Sequence, residues 1–115
     1  MSAVELTRTV ELLVRQVGHW HEPRWAAPPS EPGTATDPSL IGATRGDVVH
    51  RLVQAIADLA ADAEGEPRRV VPRLDSDLAL PDQLRVVAAD LVAADPPDDV
   101  LVEAAALVSA ARRML

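Results

Sequence analysis

The chain has 115 residues, a formal net charge of −7 and 48% hydrophobic residues, and it contains no Cys, Lys, Phe or Tyr. This size fits one domain, and the lack of Cys excludes disulfides and thiolate chemistry. The acidic balance argues against nucleic acid as a partner, because phosphate contacts need clustered Lys and Arg. No apolar run reaches the length of a membrane span and no secretion signal is recognisable. We therefore expect a cytoplasmic protein with no membrane partner.

The apolar residues must build a core almost without aromatic rings. Two Trp are the aromatic residues of the chain, so Leu, Val and Ala supply most of the core, and each Ala buries little area. A core this thin for its length favours a stabilising protein partner or a homo-oligomer. The absence of Lys and Asn beside abundant Ala, Arg, Asp and Pro is typical of a high-GC bacterial genome, which concerns origin alone.

Residues 2–17 have the pattern of a first helix. Ser2 followed by Glu5 is a capping-box pattern, in which each side chain satisfies a free backbone donor at the helix start. Gly18 is expected to end the helix. The apolar stripe at helical spacing consists of Leu6, Val10, Leu13, Val14 and Val17.

The segment HWHEPRW, residues 19–25, holds two of the three His residues and both Trp residues. In an extended backbone His19 and His21 point the same way. With Glu22, and His50 as a further ligand, they are candidate metal ligands. The alternative is that both His side chains lie at the surface or pack beside the Trp residues. The sequence predicts no other cofactor.

Trp20 and Trp25 fit two interpretations. They can fill one end of the core, or they can anchor a partner, since Trp is enriched among residues that dominate binding energy. Residues 26–46 follow as a Pro- and Gly-rich connector, and a loop of this length is usually functional or disordered. Its Pro run is stiff and loses little entropy on docking. The candidate partner-binding surface therefore comprises Trp20, Trp25, Pro28 and Pro29.

Residues 47–64 give the clearest helical pattern in the chain. Asp47 is placed to cap the start, and Gly65 is placed to end the helix in the left-handed conformation. The apolar face comprises Val49, Leu52, Val53, Ile56, Leu59, Ala60 and Ala63. The side predicted to face away from the core comprises Arg51, Gln54, Asp58 and Asp62.

Residues 66–80 predict an extended segment that crosses the helices, because Pro67 and Pro72 disfavour a helix. Its apolar residues are expected to pack inward: Val70, Val71, Leu74, Leu78 and Leu80. Arg68, Arg69 and Arg73 are a candidate anion-binding cluster. The alternative is that these arginines neutralise acids at the end of the preceding helix, where the helix dipole is negative. Those acids are Asp58, Asp62 and Glu64.

Two further helices are predicted over residues 81–94 and 97–115. Pro81 suits the first position of a helix, where its missing N–H costs nothing. The joint between the two helices is Asp-Pro-Pro-Asp. A joint this short predicts an antiparallel helical hairpin.

The stretch Leu74-Asp75-Ser76-Asp77-Leu78 resembles the Asp-Ser-Leu attachment site of acyl carrier proteins, which are also small, acidic and four-helical. The resemblance covers three residues of motif. Asp77 stands where the family has Leu or Met, and Pro81 interrupts the helix that begins at the serine in that family. The resemblance implies a carrier protein modified at Ser76.

Together these patterns predict an all-α, four-helix bundle-like domain over residues 1–115, with a Pro-rich connector after the first helix and a C-terminal helical hairpin. Catalysis by Lys, Cys or Tyr is excluded by composition, and the chain has no nucleophile elbow or dinucleotide fingerprint. We therefore expect a non-enzymatic interaction or regulatory protein that works with a protein partner or as a homo-oligomer. The alternative is a small metal- or ligand-binding protein centred on His19, His21 and Glu22.

Overall fold

The computed structural model describes residues 2–30 and 42–115, and every regular element in these two ranges is helical. The α-helices are α1 (Ser2–Val17), α2 (Glu22–Trp25), α3 (Arg45–Glu64), α4 (Leu80–Ala93) and α5 (Asp98–Met114). A 3-10 turn, Asp77–Ala79, precedes α4. The predicted all-α class is confirmed for the described residues. Residues 31–41, the middle of the predicted connector, lie outside them.

The start of α3 differs from the prediction. Thr44 is the N-cap, and its hydroxyl oxygen accepts a hydrogen bond from the Asp47 backbone N–H at 3.1 Å. Asp47 Oδ2 accepts from the Thr44 backbone N–H at 2.9 Å. The prediction of Asp47 as the cap was therefore wrong, because Asp47 is the reciprocal third residue of a capping box. The end of α3 was correctly predicted at Gly65, which has a φ of 69°.

α3 and α4 run in the same direction, and residues 66–76 connect them as an extended crossover segment. The segment returns along α3, because Arg68 pairs with Asp62 near the end of α3 and Arg73 pairs with Asp47 near its start. α4 thus begins beside the start of α3 and ends beside its end. Two neighbouring helices with the same direction need such a return, since a short turn reverses the chain.

α1 and α5 form a second pair with a common direction. Gln16, in the last turn of α1, hydrogen-bonds to Arg112, in the last turn of α5. At the opposite end, Val4 of α1 and Val102 of α5 line the same surface depression. α1 also contacts α4, and α3 contacts α5, so the four long helices enclose a common core.

The predicted C-terminal hairpin is not a packed pair. α4 and α5 run in opposite directions after their short joint, but α4 packs mainly on α3 and α1, whereas α5 packs mainly on α1 and α3. The chain crosses the end of the molecule between them, with Asp95 at a φ of 50° and Pro96 buried. The apolar faces of α4 and α5 are therefore satisfied by the other two helices rather than by each other.

The core draws on every long helix and on both Trp residues. Its most deeply buried side chains are Trp25, Leu6, Leu13, Ile56, Leu80, Leu84, Leu91, Val17, Val49, Val53 and Val108. No helix in the described ranges is long and apolar enough to cross a membrane.

Candidate functional site

The crossover segment is held against α3 by Gln54, which was predicted to face away from the core, and by His50, which was predicted as a further metal ligand. Gln54 Oε1 accepts from the Val71 backbone N–H at 2.7 Å, and Gln54 Nε2 donates to the Arg69 carbonyl oxygen at 2.9 Å. His50 Nε2 lies 3.0 Å from the Val71 carbonyl oxygen. A carbonyl oxygen only accepts, so this ring nitrogen carries the proton. His50 and Gln54 of α3 therefore make hydrogen bonds to the backbone of the extended segment, as a neighbouring β-strand would.

The arginines of the predicted anion cluster are mostly engaged with acids. Arg68 donates twice to the Asp62 carboxylate, at 3.0 Å and 2.7 Å, and lies 4.0 Å from Asp58. The hydrogen bond from Arg68 lowers the pKa of Asp62 and raises the pKa of Arg68 itself. The ion-pair alternative is therefore the one observed for Arg68. It pairs with two of the three acids near the end of α3, Asp58 and Asp62, and not with Glu64.

Arg73 lies at the other end of the crossover segment and bridges two carboxylates. It donates to Asp77 at 3.0 Å and to Asp47 at 2.8 Å. Hydrogen bonding to Asp77 is the largest cause of its raised pKa, with a further contribution from Asp47. Arg68 and Arg73 thus lie at opposite ends of the segment. The three arginines do not meet as one anion site, and Arg69 is exposed between the other two.

The crossover segment presents an apolar outer side. Val71 and Arg73 point toward α3, so the alternation of an extended chain directs Val70 and Leu74 outward. Val70 is 86% exposed and Leu74 is 46% exposed, and Leu78 farther along is 52% exposed. The prediction that Val70, Leu74 and Leu78 pack inward was therefore wrong. The polar anchors of α3 fix which side of the segment faces the core.

An open cleft of about 470 Å³ lies between the crossover segment and the last turns of α3 and α4. Its floor is made of small apolar side chains, and Val70 stands at its edge. The residues that line it are Ala57, Ala60, Ala61, Glu64, Glu66, Pro67, Arg69, Val70, Val71, Pro72, Val87 and Asp90. We call this feature the α3–α4 cleft. Its volume lies in the range of about 300–1,000 Å³ that is typical of ligand-binding clefts.

The α3–α4 cleft is electrostatically negative. α3 and α4 both end beside it, and neither helix has a basic residue in its last turn. Each helix end carries a partial negative charge from the helix dipole. Glu64, Glu66 and Asp90 add exposed carboxylates to the same site. Among the described lining residues, Arg69 alone is cationic.

Both Trp residues are part of the fold. Trp20 is 4% exposed and Trp25 is 1% exposed, and their rings meet edge to face with centroids 5.0 Å apart. The guanidinium carbons of Arg24 and Arg45 lie 4.9 Å and 5.4 Å from the Trp20 ring centroid. The rings therefore agree with the interpretation that they fill one end of the core, because buried indoles have almost no free surface for a partner.

The proline part of the same candidate surface remains accessible. Pro28 is exposed and Pro29 is half-buried. Any partner contact at this corner would therefore use Pro28, Arg24 and other exposed neighbours rather than the indole rings.

The candidate metal ligands do not form a site. His19 and His21 are both exposed, and the Glu22 carboxylate accepts from the Ser76 hydroxyl at 3.3 Å. His50, the proposed further ligand, is committed to the Val71 carbonyl. Across residues 2–30 and 42–115, no group of three or more His, Asp or Glu side chains is placed to hold a metal ion. The prediction depended on an extended backbone from His19 to His21, but residues 18 and 19 form a turn after α1, closed by the hydrogen bond from the Trp20 N–H to the Val17 carbonyl.

Ser76 has a structural contact that the carrier resemblance did not suggest. Its hydroxyl oxygen accepts from the Leu78 backbone N–H at 3.2 Å and caps the short 3-10 turn before α4. The long helix that follows starts at Leu80 rather than at the serine. Ser76 therefore lies at a turn, with its hydroxyl shared between Leu78 and Glu22.

Sequence reasoning missed the residues that make the cleft. Glu64 was assigned to charge balance, and Glu66 and Asp90 were not singled out. They meet because α3 and α4 have the same direction, which a crossover of residues 66–76 permits but does not dictate. The usable signal was the absence of Lys and Arg from the last turns of both helices, since helix ends usually attract cations there.

No family model, curated protein or solved structure matches the chain.

Proposed function

We propose that the protein is a non-enzymatic interaction module that binds a partner protein at the α3–α4 cleft. The observation that carries this proposal is the 86% exposure of Val70 at the edge of an open, apolar-floored cleft. Contiguous exposed apolar surface marks interaction sites, whereas single scattered apolar residues are normal, and Val70 lines the same cleft as the apolar side chains of α3 and α4. The side chain is also rigidly presented, since Gln54 and His50 bind the backbone on either side of it.

The chemistry available near the cleft supports binding rather than catalysis. Its lining consists of aliphatic side chains, prolines, carboxylates and one guanidinium. A hydrolytic or transfer reaction would need a nucleophile with an adjacent base and a donor for developing charge. None of the described lining residues is a Ser, Thr, Cys or His. The site therefore suits recognition of a side chain or short segment.

A selection of displayed random peptides on the immobilised protein tests this proposal. Enriched peptides are expected to bind the wild type one to one and to lose affinity when Val70→Ser removes the apolar edge of the cleft. Val86→Ser is the matched control, because Val86 is 60% exposed on α4 and does not line this cleft. Both substitutions are at exposed positions, where stability usually changes by less than about 0.5 kcal/mol. If Val70→Ser leaves every enriched peptide unaffected, the cleft is not the binding site.

Self-association remains a prediction. Its best support is the depression between α1 and α5, where Val4 is 70% exposed, Val102 is 58% exposed and Ala105 lines the floor. Sedimentation velocity over a range of concentrations measures it directly. A concentration-dependent dimer that Val102→Glu converts to monomer would place the contact on this face, and a monomer at all concentrations would remove it.

A further inference from the structure

The direction of two helices determines the charge of the α3–α4 cleft. Asp90 of α4 and Glu64 of α3 line the same space, so the ends of both helices converge there. The negative ends of both helix dipoles have the same sign as the carboxylates of Glu64, Glu66 and Asp90. An anionic group entering the cleft would meet like charge from both helices and from the rim.

The nearby arginines do not cancel this negative charge. Arg68 is already shared between Asp62 and Asp58 on the outer side of α3. Arg69 lines the cleft, but its single positive charge is outnumbered by the three carboxylates that line it. A positively charged partner group would therefore balance the excess of carboxylates among the described residues around the cleft.

The floor of the cleft indicates which uncharged groups a partner would place there. Ala57, Ala60 and Ala61 of α3 and Val87 of α4 form an apolar surface beside Val70. Small side chains on the floor leave room for aliphatic side chains from a partner. A volume of about 470 Å³ accommodates a few side chains and not a whole domain. The occupant must therefore combine apolar and cationic groups within a short distance.

We infer that the α3–α4 cleft binds a short cationic amphipathic segment of a partner protein, in which aliphatic side chains fill the apolar floor and Arg or Lys side chains pair with Glu64, Glu66 and Asp90. This inference rests on the proposed function and specifies the partner's chemistry. Charge complementarity of this kind adds mainly specificity and association rate.

Three labelled synthetic peptides of equal length test the inference by fluorescence anisotropy. In the first, Leu alternates with Arg; in the second, Leu alternates with Glu; in the third, Ser alternates with Arg. The first is expected to bind saturably, with affinity at least about tenfold above the other two, because it alone satisfies both the floor and the rim. Its affinity is expected to fall as salt rises, since the pairs at the rim are exposed and therefore screened.

Two charge-matched variants separate the cleft from the overall charge of the protein. Glu64→Gln/Asp90→Asn is expected to weaken the Leu/Arg peptide about tenfold. Glu5→Gln/Glu103→Gln changes the net charge by the same amount at exposed positions on α1 and α5, and it is expected to leave affinity within about twofold. Equal losses in both double variants would show non-specific attraction to an acidic protein and would overturn the inference.

The outcomes distinguish the inference from the proposed function. If Leu/Glu peptides bind as well as Leu/Arg peptides, and Val70→Ser weakens both, the cleft is a binding site but the cationic inference is wrong. If the Ser/Arg peptide equals the Leu/Arg peptide, the apolar floor is not used and the inference is wrong in its other half. If neither the Leu-containing peptides nor displayed peptides respond to Val70→Ser, the proposed function itself fails.

Discussion

Gly46 in the first turn of α3 lies directly against the carboxylate of Asp77, which belongs to the 3-10 turn before α4. A Cβ atom on Gly46 would overlap Asp77 Oδ2 and would lie 2.9 Å from an Arg73 guanidinium nitrogen. Asp77 is itself held by Arg73, which also donates to Asp47 of α3. These contacts join the turn before α4 to the first turn of α3.

Gly46→Ala in an unobstructed helix stabilises by about 0.5–1 kcal/mol. Here the Asp77 and Arg73 side-chain ends must move away from the new Cβ, which weakens partly exposed ion pairs that contribute at most about 1 kcal/mol each. The cost of this clash is therefore expected to offset most of the gain. Urea unfolding followed by far-ultraviolet circular dichroism measures the change, and the full gain of about 0.5–1 kcal/mol would contradict the close approach of Asp77.

A double-mutant cycle identifies the atom that causes the cost. Asp77→Gly removes the carboxylate that faces Gly46, so Gly46→Ala should be more stabilising in that background than in the wild type. Residues in direct contact show coupling energies of about 0.5–3 kcal/mol. A coupling energy near zero would mean that Gly46 is restricted by something other than Asp77.

The carboxylate of Asp47 links stability to pH. Partial burial alone would raise its pKa, but hydrogen bonds from the Thr44 backbone N–H and from Arg73 hold the pKa of Asp47 below its ordinary value. Because the folded-state pKa is lowered, the stabilisation is fully present above the unfolded-state pKa and is lost as pH falls through the folded-state pKa. Asp47→Asn should therefore cost at most about 1 kcal/mol at neutral pH, because the amide keeps an acceptor for the Thr44 N–H but loses the partly exposed ion pair with Arg73.

The same substitution should matter less in acid. Below about pH 3.8, the ordinary value for Asp, the wild-type protein progressively protonates Asp47 and loses the advantage that Asp47→Asn removes. The two proteins should therefore converge in unfolding free energy as the pH falls below about 3.8 and through the lower folded-state pKa of Asp47. Asp75→Asn, an exposed position on the crossover segment, is the control and should track the wild type. A constant difference at all pH values would assign the effect to packing rather than charge.

Gln54 is expected to determine whether the crossover segment stays on α3. Gln54→Leu removes both the acceptor for the Val71 N–H and the donor to the Arg69 carbonyl, at a cost of about 0.5–1.5 kcal/mol, because water can reach these partly exposed groups. Amide hydrogen exchange at Val71 should accelerate, whereas exchange in the interior of α5 should change little. Gln54→Glu keeps the acceptor but not the donor, so its Val71 exchange should lie between wild type and Gln54→Leu.

The helices could be predicted from sequence because each carries its own signal. The apolar stripe of residues 2–17 and the left-handed stop at Gly65 are local features, and both are observed. The N-cap of α3 could not be resolved as easily, because Thr44 and Asp47 are both good capping residues at the right spacing. Which of them lies outside the helix depends on how the chain approaches, and that approach is set by tertiary contacts.

The side of the crossover segment that faces the core could not be predicted, for a different reason. Val70, Leu74 and Leu78 are apolar, and composition alone favours burying them. Gln54 and His50 instead bind the backbone of the segment and select the side that carries Val71. Side-chain-to-backbone contacts between residues far apart in sequence leave no periodic pattern. The α3–α4 cleft could not be predicted for the same reason, since Glu64 and Asp90 meet only because the segment returns along α3.

Trp25 tests how the aromatic corner contributes to stability. Its side chain is 1% exposed, and its indole N–H has no hydrogen-bond acceptor within residues 2–30 and 42–115. Trp25→Ala should cost about 3–5 kcal/mol, as large-to-small changes in a core usually do, which is a large share of the stability of a small domain. Trp25→Phe keeps most of the buried ring and removes no hydrogen bond within the described residues. It should therefore cost well under half as much, as measured by urea unfolding with far-ultraviolet circular dichroism. Equal losses in the two variants would show that the indole nitrogen has an acceptor and that the corner is stabilised by a polar contact rather than by packing alone.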